Sequence, residues 1–335
     1  MGCEECSNER DGYELYTNYG YDPRNNPYFH YSKFNALSAE ERLKNLSLPQ
    51  LLEWKFRQQG SNIQFSEISS EEFNQALQIN PFASTILEKM GSELNGINFE
   101  NDVVFDNISP IKVIDSSGEP QYYHGGFNQK GQCQGKGIWT KDGNVYYGNF
   151  KNDEFSGNGL FISPIGDYYF GGWKHSQLNG DGYLVVKNKI VYKGKFIKNR
   201  KSGKGEEILP NGDSYVGSFF NGEKNGKGSY IFSNGSMYNG NFRNSKYNGY
   251  GEMNWDLGRS YTGNFKDGAM NSMGRMTFGD GSSFYANSNN NEIVKSGTYL
   301  WNNGNSFKGY WDNSVRGSGV YTNKTYGTNE FINLV

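Results

Sequence analysis

The chain has 335 residues, of which 45 are glycine and 16% are aromatic, and its formal net charge is only −2. This near-balanced charge argues against nucleic acid as the main ligand. Three cysteines are too few for a disulfide framework and favour a reducing, cytoplasmic compartment, and no apolar run reaches the ~20 residues that a membrane-spanning helix requires.

The first third of the chain differs in composition from the rest. Residues 1–110 hold 17 acidic and 8 basic residues, a net charge of −9, whereas the remainder has a net charge of +7. Residues 1–36 are polar and rich in Tyr and Asn, which predicts an extended arm. Residues 37–110 predict a small helical domain. The charge difference indicates that the two regions meet different partners or each other.

Helix signals recur within residues 37–110. Short helices are predicted over 38–46, where Ser38-Ala39-Glu40-Glu41 has the form of a capping box, and over 50–59. Ser69-Ser70-Glu71-Glu72 opens a third helix. Asn80-Pro81 ends that helix, and 83–90 predicts a fourth. The segments 63–65 and 97–99 sit where paired EF-hand loops carry a β-bridge, but the oxygen ligands of a calcium loop are missing, so no metal is expected.

The first residues resemble an acylated N-terminus. Gly2 is a candidate for myristoylation, and Cys3 and Cys6 are candidates for palmitoylation, which together would supply the two anchors that stable membrane attachment requires. The usual Ser/Thr at position six is Cys6, and the flanking residues are acidic. Whether these residues are acylated therefore stays open.

From residue 123 onward a motif recurs every 23 residues. Each unit carries an aromatic residue, a glycine two places later and a second aromatic two places after that. In five consecutive units these predicted core residues are Tyr146, Gly148, Phe150, Tyr169, Gly171, Trp173, Tyr192, Gly194, Phe196, Tyr215, Gly217, Phe219, Tyr238, Gly240 and Phe242. A Gly-x-Gly pair follows, and an Asn-Gly step closes several units.

The period-two spacing places all three motif residues on one face of a β-strand. The polar stretches 151–156 and 197–202 predict hairpin loops, the Gly-x-Gly pair opens the return strand, and the Asn-Gly steps predict tight turns with positive φ. One unit is therefore a hairpin that must stack on its neighbours to bury its aromatic face.

This pattern resembles the MORN repeat family over residues 123–319, in nine units. The resemblance implies a mainly β fold: an elongated, single-layer antiparallel sheet over 111–335, with caps at both ends, preceded by the small helical region. Unit eight is degenerate, with Phe284, Ala286 and Ser288, and is expected to be a bend or a contact site. The family also implies a structural role, as in ciliary radial spokes and axonemes.

A cluster of basic residues marks units three and four: Lys193, Lys195, Lys198, Arg200, Lys201 and Lys204. One interpretation is an anion site for phosphoinositide headgroups or for acidic tails of a filament protein. The other is that these side chains keep a long sheet soluble and block edge pairing. Both interpretations stay open.

Catalytic signatures are weak. The histidines His30, His124 and His175 are interpreted as solvated surface residues, because none accompanies a nucleophile in a recognisable motif. The Gly-Lys dipeptides lack the upstream glycine of a phosphate-binding loop. The sequence therefore predicts a protein with no catalytic site, metal or cofactor that binds other proteins of a large axonemal or microtubule-associated assembly. The alternative is a peripheral membrane tether that binds acidic phospholipids.

Overall fold

The computed structural model describes residues 64–86, 88, 109–114, 118–186, 189–312 and 316–334. These residues form a 21-stranded antiparallel sheet with a small helical region near the N-terminus, which confirms the predicted fold class. The chain divides into an N-terminal unit that ends at Arg200 and a C-terminal unit that begins at Lys201. Within each unit, strands that are adjacent in sequence pair with each other.

In the described part of the N-terminal unit there are one complete helix, α1 (Ser70–Gln78), and nine strands. The strands are β1 (Gln64–Glu67), β2 (Ile111–Ile114), β3 (Pro120–Phe127), β4 (Cys133–Lys141), β5 (Asn144–Lys151), β6 (Glu154–Ile162), β7 (Tyr168–Lys174), β8 (Gln177–Val186) and β9 (Lys189–Ile197). Strand β1 pairs with β2 although it lies within the range predicted to be helical. The boundaries 1–36, 37–110 and 111–335 stay predictions.

The C-terminal unit contains the other twelve strands. They are β10 (Arg200–Ile208), β11 (Ser214–Phe220), β12 (Glu223–Ile231), β13 (Met237–Arg243), β14 (Lys246–Asn254), β15 (Ser260–Lys266), β16 (Ala269–Thr277), β17 (Ser283–Asn289), β18 (Glu292–Leu300), β19 (Ser306–Asp312), β20 (Arg316–Asn323) and β21 (Thr328–Leu334). The sequence predicts two strands per 23-residue unit over residues 123–319. Strands β3 to β20 have this arrangement.

Helix α1 begins as its sequence predicts. The Ser69 hydroxyl accepts a hydrogen bond from the Glu72 amide at 3.1 Å, which satisfies one of the first unpaired N–H groups of the helix. Residues 83–86 are helical, and the remainder of the predicted fourth helix reaches beyond the described residues. The predicted arm, the helices over 38–46 and 50–59, and the segment 97–99 lie outside the described residues.

The segment after α1 covers one face of the N-terminal sheet. Ala83 and Ile86 pack in a buried cluster with Val145, Leu160 and Ile162. This cluster buries the sheet face opposite to the repeated aromatic residues. Among the described residues no helix is both long and apolar enough to cross a membrane.

A buried asparagine ties this segment to the sheet. Asn80 Nδ2 donates to the carbonyls of Gly143 and Ser163 at 2.7 and 3.0 Å, and Asn80 Oδ1 accepts from the Phe82 amide at 2.9 Å. The side chain thus satisfies the backbone of two hairpin turns and its own chain.

The prediction of long polar loops at 151–156 and 197–202 is wrong. Strand β5 ends at Lys151 and β6 begins at Glu154, so that the connection is the two-residue turn Asn152-Asp153 with φ of 51° and 71°. His175-Ser176, Lys198-Asn199 and Asn244-Ser245 also have two positive φ values. Paired positive φ defines the turn type that matches the twist of a hairpin. The flanking polar residues belong to the strands instead.

The Asn-Gly steps lie in longer connections than predicted. Gly235 has the expected positive φ of 87°, but five residues separate β12 from β13. Asn234 keeps a negative φ, and its Oδ1 accepts from the Ser236 amide at 2.9 Å. The asparagine therefore stabilises the turn through its side chain, as in an Asx-turn, rather than through a left-handed backbone.

We expect the Asn80→Ala substitution to lower the free energy of unfolding by about 2–4 kcal/mol, because it leaves buried backbone carbonyls without a donor. Urea titration followed by circular dichroism measures this change. The control is Gln78→Ala, at an exposed position at the end of α1. Equal stability of the two variants would contradict the anchoring role of Asn80.

Candidate functional site

The repeated tyrosines and phenylalanines form a buried ladder on one face of the sheet. Tyr146, Tyr169, Tyr215 and Tyr238 each have 0% exposure. Within a unit, the Tyr238 and Phe242 rings meet edge to face at 5.2 Å. Across units, Tyr238 meets Phe265 in the same geometry at 5.1 Å. Edge-to-face pairs add stability beyond the burial of their area.

The other predicted ladder residues lie in the same kind of position. Tyr192, Phe150, Trp173, Phe196, Phe219 and Phe242 are buried, and Gly148, Gly171, Gly217 and Gly240 pair across strands with a second glycine of their unit. Gly194 pairs with Gly182 of the preceding strand.

Each tyrosine hydroxyl satisfies a backbone group that the ladder leaves unpaired. In the hairpin β13–β14, Gly240 faces Gly251 and Phe242 faces Tyr247, so three residues of β13 oppose five of β14. Asn241 falls in this bulge, and the Tyr238 hydroxyl donates to the Asn241 carbonyl at 3.0 Å. Burial raises the pKa of Tyr238 above its ordinary value, so the hydroxyl remains a donor.

The same bond recurs throughout the repeat, always from the tyrosine to the carbonyl three residues later. The acceptors are Gly126, Asn149, Gly172, Lys195, Ser218, Asn241 and Asn264, at 2.9–3.3 Å. The motif tyrosine thus combines a buried ring with a hydrogen bond that phenylalanine cannot make.

The two cross-strand glycines form the platform beneath each ring. A Cβ added at Gly251 would lie 2.6 Å from Cζ of Tyr238, and one added at Gly240 would also clash with that ring. Both glycines are therefore required by the close approach of the tyrosine rather than by turn geometry.

The last three units depart from the pattern. In unit nine the tyrosine is replaced by Phe307, and strands β19 and β20 pair without a register shift. In unit seven, Ser272 replaces a glycine but keeps a φ of 67°, and it faces Ser288 of unit eight, which replaces the second aromatic. The Ser288 hydroxyl donates to the Ser272 carbonyl at 3.1 Å. The glycine and the ring are thus lost together as a facing pair.

Two buried lysines interrupt the apolar interior of the C-terminal unit. The first inward-facing residue of the return strand is Phe155, Leu178 or Tyr247 in other units, but Lys201 and Lys224 in two successive ones. Their side chains are 9% and 4% exposed. Lysines this buried require a charge partner.

Glu207 provides that partner for both lysines. Lys224 Nζ lies 3.0 Å from Glu207 Oε2, and Lys201 Nζ contacts Glu207 Oε1. The Lys224 ammonium also lies 5.6 and 5.4 Å from the ring centroids of Tyr215 and Tyr230. Burial alone would raise the pKa of Glu207, but the two lysines outweigh it and hold this pKa below its ordinary value.

Lys201 therefore differs from the rest of the predicted basic cluster. Sequence reasoning counted Lys201 as a surface cation and missed its pairing with Glu207 and Lys224. An alignment of the 23-residue units reveals this pairing, because Lys201, Glu207 and Lys224 occupy positions that hold apolar residues in other units.

The other basic residues of the cluster are exposed: Lys193, Lys195, Lys198, Arg200 and Lys204. Lys195 faces Asp181 across the strands β8 and β9, and Lys193 Nζ lies 5.6 Å from the ring centroid of Tyr183. The candidate acylation residues Gly2, Cys3 and Cys6 lie outside the described residues.

The two described histidines occupy different environments. His175 is exposed in a hairpin turn, with Nδ1 2.7 Å from Glu154 Oε2. His124 is instead half-buried and meets the Phe73 ring of α1 edge to face at 5.4 Å, so its prediction as a solvated residue is wrong. Within the described ranges no three His, Cys, Asp or Glu residues are grouped as metal ligands.

Comparison with known families matches five stretches of the chain to the MORN repeat: residues 146–168, 192–214, 215–237, 238–256 and 261–283. The chain thus contains MORN repeats in these stretches, as the motif spacing predicts. No curated protein matches it.

Among solved structures, the chain is similar to the TCP domain of SAS-4 (dCPAP) of Drosophila melanogaster, in complex with a proline-rich motif of Ana2 (dSTIL). The identity is 9%, the match covers 52% of this chain and 83% of that chain, and the TM-score is 0.29. A likeness of this size does not establish a shared fold, ligand or role.

We expect Tyr238→Phe to lower the free energy of unfolding by about 1–2 kcal/mol, because the bulged carbonyl of Asn241 loses its donor. Chemical denaturation of the full chain measures the change. Tyr250→Phe is the matched control, since Tyr250 is 61% exposed and outside the ladder. If both substitutions had the same effect, the hydroxyl would have no structural role.

Glu207 makes stability dependent on acidic pH. Since its folded-state pKa is depressed, its contribution is present above the ordinary 4.5 of a glutamate and is lost as the pH falls through the lower folded-state pKa. We expect Glu207→Gln to remove this component and to cost about 3–5 kcal/mol at neutral pH, because it leaves buried ammonium groups uncompensated.

Unfolding titrations between pH 2 and 7 measure this dependence. The exposed neighbour Glu206→Gln is the control. The combined variant Lys201→Leu, Glu207→Leu, Lys224→Tyr carries residue types found at these positions in other units, and it should be as stable as the parent or more so. A Glu207→Gln variant with parental stability and pH profile would refute the pairing.

Proposed function

We propose that this chain is a non-catalytic scaffold protein and a component of a microtubule-based assembly, such as the radial spoke of a ciliary or flagellar axoneme. The observation that supports a scaffold is how the repeat uses its polar groups. The ladder hydroxyls donate to the chain's own carbonyls, and the buried lysines pair with Glu207. These groups serve the fold rather than a substrate.

Apolar surface remains exposed for contacts with other proteins. Outside the ladder of the C-terminal unit, Phe220 is 69% exposed, Tyr250 61% and Met273 56%. Burial of such side chains against another protein removes apolar surface from water, which favours association. A permanent assembly with many weak contacts would cover them. The family's occurrence in radial spokes makes the axoneme the first setting to examine.

The exposed cations favour one other candidate function, that of a peripheral membrane tether. Lys193, Lys195, Lys198 and Arg200 lie on β9, in the turn that follows it and at the start of β10, and all are exposed. Such clusters attract the anionic headgroups of acidic phospholipids. The pairing of Lys195 with Asp181 across the strands reduces the net charge available to such a surface. We therefore rank the tether second.

Detergent extraction of cells that express the native chain separates the two functions. A scaffold of a microtubule assembly should stay in the pellet with the axonemes, whereas a tether should enter the detergent-soluble fraction. Release by detergent, together with an intact mass that shows acylation at Gly2 or Cys3, would overturn the scaffold in favour of the tether.

The basic cluster has a separate test. If it binds phospholipid, Lys198→Glu with Arg200→Glu should reduce sedimentation with vesicles that contain phosphatidylinositol phosphates, while Lys266→Glu, at an exposed site in the C-terminal unit, should not. Unchanged sedimentation would mean that the cluster only maintains solubility.

A further inference from the structure

The outward face of the C-terminal unit, opposite to the ladder, presents large exposed side chains on two of its strands. On β14 these are Tyr250, which is 61% exposed, and the exposed Glu252. On β16 they are Met273, which is 56% exposed, and the exposed Arg275. We call these four residues the outer patch. Because side chains alternate along a strand, all four point away from the ladder.

The two charged residues of the outer patch lie in one row across three strands. Glu252 of β14 pairs with Thr262 of β15, and Thr262 pairs with Arg275 of β16. Glu252 Oε1 accepts from Asn254 Nδ2 at 3.1 Å, and the Arg275 guanidinium lies 5.3 Å from the ring centroid of Tyr285. Among the residues that the structure describes, neither charge has an ion-pair partner. An acid and a base thus flank β15, and both keep their charge.

The two apolar residues of the outer patch flank β15 in the same way. Tyr250 pairs with the exposed Asn264 of β15. Asn264 lies in a bulge that faces residues 271–273 of β16, the last of which is Met273. The outer patch therefore has two halves, one on each side of β15, and each half carries one large apolar and one charged side chain.

The composition of the outer patch is typical of a protein interface. Tyr, Met and Arg are enriched in the centre of protein interfaces, whereas Lys is depleted there. The lysines on the outward side of β14 and β15 are Lys246 and Lys266, and both lie at hairpin ends. The middle of this face thus carries residue types that favour association.

A second copy of the same face complements the outer patch. Two sheets can pack face to face with their strand directions within about 30° of each other. A two-fold axis parallel to β15 reverses the strand order, so that β14 of each copy faces β16 of the other. Glu252 of each copy then faces Arg275 of the other. Tyr250 faces Met273, and sulfur–aromatic contacts of this kind are favourable.

The opposite charges select this arrangement. A two-fold axis that runs across the strands places each strand over its own copy, so β14 never faces β16 and Glu252 cannot meet Arg275. The axis parallel to β15 instead forms two ion pairs and places the small Thr262 over its own copy at the centre. Charge complementarity of this kind sets the orientation of two proteins in a complex.

We propose that two copies of this chain associate through their outer patches, around a two-fold axis parallel to β15. Burial of Tyr250 and Met273 removes apolar surface from water, and the ion pairs between Glu252 and Arg275 fix the orientation. This inference goes beyond the proposed scaffold function, because two copies pair whether or not they join a microtubule assembly. A paired scaffold presents each of its other binding surfaces twice.

Sedimentation equilibrium of the full chain tests the pairing. The mass of the parent should rise from that of one chain to that of two as the concentration increases. Glu252→Arg sets like charges against each other at two positions of the pair, and it should raise the dissociation constant at least ~tenfold, as should Arg275→Glu. The variant that combines both substitutions restores opposite charges and should return the constant to within ~threefold of the parent.

A matched control separates the outer patch from the general charge of the chain. Glu223→Arg makes the same change of charge at an exposed hairpin end of β12, and it should leave the dissociation constant unchanged. Far-UV circular dichroism and the Tm verify that each variant is folded.

Three results would overturn the proposal: the mass of one chain at every concentration, a pair that Glu252→Arg leaves unchanged, or a combined variant that pairs no more tightly than the single ones. None of these results bears on whether the native chain remains with axonemes after detergent extraction. Failure of this inference and failure of the scaffold function are therefore distinguishable.

Discussion

The repeat depends on the packing of each tyrosine ring against two glycines that face each other across neighbouring strands. The ring of Tyr238 lies so close to Gly240 and Gly251 that neither can carry a side chain, and its hydroxyl reaches the carbonyl of Asn241 in the bulge. In this unit the bulge, the glycine pair and the tyrosine hydroxyl thus form one arrangement. A thin sheet of this kind cannot bury a thick aliphatic core, so rings held flat against the backbone supply the buried surface.

This arrangement leaves the first inward-facing position of the return strand free to vary. Because the tyrosine and glycines satisfy the backbone, that position accepts Phe155 and Leu178 in the N-terminal unit and Lys201 and Lys224 in the C-terminal unit. The lysines are tolerated because Glu207 replaces an apolar residue in the unit of Lys201 and pairs with both ammonium groups. Unit nine has Phe307 in place of the tyrosine and lacks the bulge, whereas unit eight keeps the bulge with Phe284 at that position.

The sequence specified the fold class, the hairpin unit and the ring ladder, because a 23-residue period with period-two spacing inside it has few other solutions. Ser69 also marked the start of α1. The turns were misjudged because Asn152-Asp153 and His175-Ser176 adopt paired positive φ without glycine. The buried lysines were missed because a local cluster of cations looks the same whether it faces water or a glutamate. The cover formed by Ala83 and Ile86 depends on a contact between distant segments, which no local pattern reports.

Amide hydrogen exchange of the Gly251→Ala variant tests most directly whether the tyrosine ring requires the facing glycines. Gly251 does not have a positive φ, and the three atoms nearest to an added methyl group all belong to the ring and hydroxyl of Tyr238. The account predicts faster exchange across residues 237–254, with little change after Asn239→Ala, at an exposed position of β13. Unchanged protection of 237–254 in Gly251→Ala would contradict it.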